Sequence, residues 1–213
     1  MSEFGSLDGL SEIWAGIVFV FALMGLTGMY FLGTSAHKAY KLSGESQQGM
    51  DQKTMLSQLI GCILGVCMMS PILFLTLSGN TVFDDGLETN TVTAISEGLT
   101  LGEVPDLDGV KESLESDSTL LNSKELDEQS KRYWILIYSL IMLAGAISLY
   151  RGFRIWWVSM AAGSDMGGTS AYMKGGTIFF HLFGGLAMLN ITMTLKLTQA
   201  TFDNIMSFVL IGQ

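Results

Sequence analysis

Four apolar stretches, Ile13 to Leu32, Leu56 to Leu77, Tyr133 to Tyr150 and Thr177 to Leu195, constrain this chain more than any other feature. Each is close to the roughly 20 residues that a helix rising ~1.5 Å per residue needs to cross ~30 Å of hydrocarbon. None carries a charge at its centre. A Lys, Arg or Asp there would cost about 2.5 to 3.5 kcal/mol on insertion, so the pattern predicts spans rather than one large soluble core. The expected fold is an all-α membrane protein of four transmembrane helices. Two hairpins, residues 1–78 and 133–213, are joined by an acidic extracytoplasmic segment, residues 79–132.

Thr34, Ser35 and Ala36 ahead of His37 loosely resemble a signal cleavage site. The residues before the first stretch include Glu3, Asp8 and Glu12 but no Lys or Arg, and the apolar run is long, so it is expected to remain a helix. Orientation follows from the basic residues. Lys38, Lys41 and Lys53 follow the first span and Arg151, Arg154 and Lys174 follow the third, which places those links in the cytoplasm and both termini outside. Lys124, Lys131 and Arg132 before the third span oppose this assignment. Aromatic residues mark the expected edges: Trp14, Tyr133 and Trp134 on the outer side, Tyr30, Tyr150, Trp156 and Trp157 on the inner. Arg151 and Arg154 share a face, so the third helix is expected to continue as an interfacial segment with Phe153, Trp156 and Trp157 in the headgroups.

Thirteen of the 20 acidic residues lie between Gly79 and Arg132. After Pro105, the residues Leu107, Val110, Leu114, Leu120 and Leu121 have partial helical periodicity. A short helix on a partner or bilayer and a solvated loop both fit this pattern. Asp106, Asp108 and Gly109 resemble the start of a calcium loop, but the later ligands are not at the required spacing. Thr81, Val82, Phe83 and Asp84 are echoed by Thr201, Phe202 and Asp203, a faint duplication for which chance similarity between hairpins is the simpler account.

Little in the sequence points to catalysis. Cys62 and Cys67, five apart in one span, have neither disulfide geometry nor redox or zinc spacing, and the 14 methionines are dispersed. Neither His37 nor His181 is placed by sequence within a catalytic set. Gly163, Gly167 and Gly168 lack the Lys of a phosphate loop and read as a link. A net charge of −9 argues against direct nucleic-acid binding. No enzyme activity, cofactor or metal is expected.

The informative chemistry is in the helix faces. Small residues recur at four-residue spacing as Gly61 and Gly65, and as Ala144, Ser148 and Gly152, which lets helices approach closely. The fourth span carries His181, Gly184, Gly185 and Asn190. Polar groups in lipid need partners, and at about 100° per residue His181 and Asn190 point to opposite sides, so this helix is expected between neighbours on two sides. A proton relay through His181 lacks an acidic residue in any span to receive the proton.

Tyr150, Arg151, Gly152 and Phe153, then Lys174 and Gly175, then His181, Gly184, Gly185, Ala187, Asn190 and Ile191, and finally Thr201 and Phe202, resemble the IcmC/DotE family. These are multi-pass inner-membrane components of type IVB secretion systems, with TraQ-like relatives in conjugation. The similarity is sharp over about the last third; in the first half it amounts to span order, Pro71 and the Thr and Phe after the second span. The resemblance implies a structural subunit of a type IVB secretion or conjugative transfer apparatus in the bacterial inner membrane. Its termini and acidic segment would be periplasmic, and its partners would be other secretion-system membrane subunits, in a homo- or hetero-oligomer, and membrane lipid. Arg151 is included with the small and polar residues of the expected packing set. Two alternatives stay open: a pilin-like subunit of an extracellular conjugative filament, favoured by the hairpins and outside termini, and a small transporter or channel, favoured by the echo and the polar fourth span.

Overall fold

The computed structural model describes residues 8–45, 52–83, 128–161, 169–191, 194–195 and 198–201. The helices among them are α1 (Asp8–Glu45), α2 (Gln52–Met69), α3 (Pro71–Phe83), α4 (Glu128–Ala161) and α5 (Thr169–Leu189). The protein is therefore helical throughout its named elements. Gly9–Leu42 and Gln129–Met160 are each long and apolar enough to cross a membrane, at 34 and 32 residues. At ~1.5 Å per residue both outreach the ~30 Å hydrocarbon core by roughly 20 Å.

The buried positions of α1, Leu10, Trp14, Ile17, Phe21, Met24, Gly28, Phe31 and Ser35, alternate spacings of four and three. That period keeps one seam facing a neighbouring helix along its length. Gly28 faces Gly65 and Met69, and Ser35 faces Gly61, so α1 and α2 run antiparallel. Gly16 faces Leu143, Thr27 approaches Tyr150 and Ser35 approaches Trp157, so α1 and α4 run parallel. Gly145 faces Gly185 and Gly152 faces Leu182, which makes α4 and α5 antiparallel.

The second apolar stretch is not a straight span. Met55–Met69 and Pro71–Leu77 meet at a 96° bend. The cause lies in Pro71, which has no N–H for the Cys67 carbonyl and disfavours helical geometry in Ser70. The Ser70 amide still closes α2 on Val66 O at 3.1 Å, while its carbonyl accepts the Phe74 amide at 3.0 Å and opens α3. Pro71 thus occupies the first position of a helix, where its missing donor costs least.

The chain leaves α1 at one end of the bundle and starts back along α2, and α4 begins at the end where α1 began.

In the fourth stretch α5 ends at Leu189 and Asn190 forms a turn, and among the described residues the apolar helix Gly175–Leu189 is shorter than a span. Further expectations are corrected. α4 is one continuous helix to Ala161, and Phe153 is buried against Phe74, with ring centroids 4.9 Å apart, rather than dipping into headgroups. Trp14 is fully buried against the neighbouring helices. α3 takes Gly79 to Phe83 and α4 takes Glu128 to Arg132 from the ends of the acidic segment, while its periodic leucines, the Asp106 motif and the Gly163 link lie outside the described residues.

Candidate functional site

Each helical pair closes on glycine. A Cβ on Gly28 would lie 2.6 Å from the Met69 nitrogen and 2.7 Å from the Gly65 oxygen; one on Gly65 would lie 2.7 Å from the Leu32 nitrogen. Backbone meets backbone there, and no side chain fits. Gly61 performs the same service for Ser35, whose Oγ accepts the indole N–H of Trp157 at 3.4 Å. Trp157 then stacks on Phe31 at 4.0 Å with ring planes 3° apart, and such an aromatic pair contributes about 0.5–1.5 kcal/mol beyond buried area. One cluster at one end of the bundle therefore ties α1, α2 and α4 together.

The second seam joins α4 and α5. Gly145 and Gly185 approach so closely that a Cβ on either would be 2.9 Å from the other's carbonyl oxygen, and a Cβ on Gly152 would be 3.1 Å from that of His181. Ser148 lies between these crossings, its Oγ 3.0 Å from His181 Nδ1 and 3.2 Å from the His181 carbonyl. The sequence placed no serine beside His181, yet the fold brings one there. With the single hydroxyl proton directed at the carbonyl, Nδ1–H is assigned as the donor to Oγ. A nucleophilic serine needs the opposite arrangement, donating to the imidazole, with a third group orienting the base. No carboxylate bonds to His181 among the described side chains, and the Ser148–His181 contact joins α4 to α5.

Asn190 is buried and satisfied within its own helix, its Nδ2 donating to Leu186 O at 3.0 Å. Thr194 reinforces the turn, donating through Oγ1 to Ala187 O at 3.0 Å. His181 and Asn190 therefore each have a partner inside the chain, within which α5 packs chiefly on α4. Gly184 differs from Gly185: a Cβ there meets nothing within 4 Å. Arg151 and Arg154 are exposed, as are Lys38 and Lys41 on α1.

The fold brings together Gly61 and Gly65 on the first seam and Ser148, Gly152, His181 and Gly185 on the second. Arg151 and Gly184 face away from both, and Ala144 is exposed. Two seam residues were missed, Gly28 and Gly145. The signal was present at seven-residue spacing, two helical turns, in the pairs Gly28 with Ser35 and Gly145 with Gly152. Cys62 and Cys67 are free thiols, and among the described residues no group of three or more His, Cys, Asp or Glu could hold a metal. No family model, curated protein or solved structure matches the chain.

Proposed function

We propose that this chain is a non-catalytic structural subunit of a type IVB secretion or conjugative transfer apparatus in the bacterial inner membrane. The observation that carries the reading is that Gly152, His181 and Gly185, on which the resemblance to the IcmC/DotE family rests, lie along one helical seam. A motif spent on helix packing suits a scaffold better than a catalyst. The chain crosses four times, with the bent α2 and α3 as one interrupted crossing. Lys38, Lys41, Arg151 and Arg154 belong to the cytoplasmic end, and the termini and acidic segment to the periplasmic end.

In this reading Gly184 marks the face of α5 left for a neighbouring subunit, because the adjacent Gly185 is already used within the chain. Partners are other membrane subunits of the apparatus or further copies of this chain, with lipid around them. Gly184→Leu tests the assignment. The variant should insert and fold normally yet migrate as a smaller complex on detergent sizing and lose transfer; unchanged complex size and transfer would exclude Gly184 as a contact.

A further inference from the structure

The 96° bend leaves a cleft of about 550 Å³ between α1 and the elbow, lined by Phe21, Ala22, Gly25, Met69, Pro71 and Leu73 among others. We propose that this cleft is a binding site for one acyl chain of a membrane phospholipid, an inference that rests on the membrane reading above.

The lining excludes polar ligands. It carries no charged residue, and the hydroxyl of Thr76 is spent on the Ile72 carbonyl at 3.0 Å. Ser70 is the remaining polar side chain of the wall. Phe21 to Gly25 lie near the middle of Gly9–Leu42, which in the membrane reading above puts the cleft at the depth of the hydrocarbon. Size selects the occupant. A helix about 10 Å across would fill this volume with roughly one turn, whereas clefts of about 300–1,000 Å³ suit slender apolar ligands. An empty cleft would also forfeit dispersion contacts along its walls, which a chain entering sideways restores.

Gly25 offers a plug. A Cβ there meets only the Met69 oxygen, at an ordinary 3.8 Å, so a side chain can be introduced beside the cleft and Gly25→Phe is the variant expected to fill it; Gly33, open and outside it, supplies Gly33→Phe as the matched control. The full chain is reconstituted into phosphatidylethanolamine vesicles containing a phospholipid with a mid-chain diazirine, irradiated, and mapped by peptide mass spectrometry.

Labelling should concentrate on residues 22–25 and 69–73 relative to the exposed face of Phe179, Phe180 and Phe183. It should fall at least about fourfold in Gly25→Phe, the equivalent of one displaced methylene, and stay unchanged in Gly33→Phe. Labelling of the Phe179 face with no excess at the elbow, or no loss in Gly25→Phe, would mean surrounding lipid only and overturn the site while leaving the membrane reading. Absence of label on both surfaces would overturn both.

Discussion

Ser148 Oγ stands 3.0 Å from Nδ1 of His181 and 3.2 Å from its carbonyl oxygen, one hydroxyl engaging both the side chain and the backbone of the facing helix. Such a contact fixes the register of α4 on α5, because sliding either helix by one residue would break both bonds. The glycines on either side make it possible by letting the backbones approach.

Removing that hydroxyl should cost little more than one membrane hydrogen bond. Ser148→Ala is expected to lower stability by about 1 kcal/mol in denaturant titration of the micellar protein, within the range for interhelical pairs. A double-mutant cycle with His181→Ala should give a coupling of roughly 0.5–1.5 kcal/mol. Independent, additive effects would deny the contact.

Neighbouring glycines should behave unequally. A Cβ at Gly185 would sit 2.8 Å from the Leu149 nitrogen, so Gly185→Leu is expected to destabilise the α4–α5 pair by about 3 kcal/mol or more, whereas Gly184→Leu should leave the fold intact. Thermal unfolding of the two variants measures the contrast. Equal losses would remove the assignment of Gly185 to the seam.

Among the described residues, Trp14 Nε1 and Ser139 Oγ are buried without a hydrogen-bond partner. An unpaired buried donor is a penalty already present in the native state, so Trp14→Phe and Ser139→Ala should be neutral or stabilising by up to about 1 kcal/mol, apart from the smaller ring in the first case. A loss well above 1 kcal/mol for Ser139→Ala would show that this hydroxyl has a partner in the membrane.

Restoring an amide at the elbow should weaken the bend. Pro71→Ala allows a continuous helix, so labels at Met55 and Leu77 should move from roughly 23 Å towards roughly 33 Å apart, as a ~1.5 Å rise per residue requires. Pulsed electron-spin distances give the answer directly. An unchanged distance would assign the bend to the packing of Phe74 on Phe153 instead.

Hydropathy located α1 and α4 because a crossing helix must be apolar along its whole length, and both stretches are. It overran Pro71, since a sum over residues carries no information about the backbone hydrogen bonds that one proline removes. It found the glycine-rich character of the seams but not their phase. Ala144 was expected in place of Gly145, and Gly184 alongside Gly185, because a one-residue shift turns a helical face by about 100° and only the partner fixes the choice. Trp14 shows the same limit: its ring suits a membrane interface, but the four-and-three spacing of α1 places it on the inner seam. The Ser148–His181 contact joins residues on two helices, so no local spacing could announce it.

The most direct measurement is to place an epitope tag near Asn122, shear the cells, and follow the chain by fractionation. An inner-membrane scaffold predicts that the protein stays with the inner membrane and migrates in a large detergent-stable complex. Recovery in sheared filaments, or migration as a lone subunit from the membrane, would contradict the account.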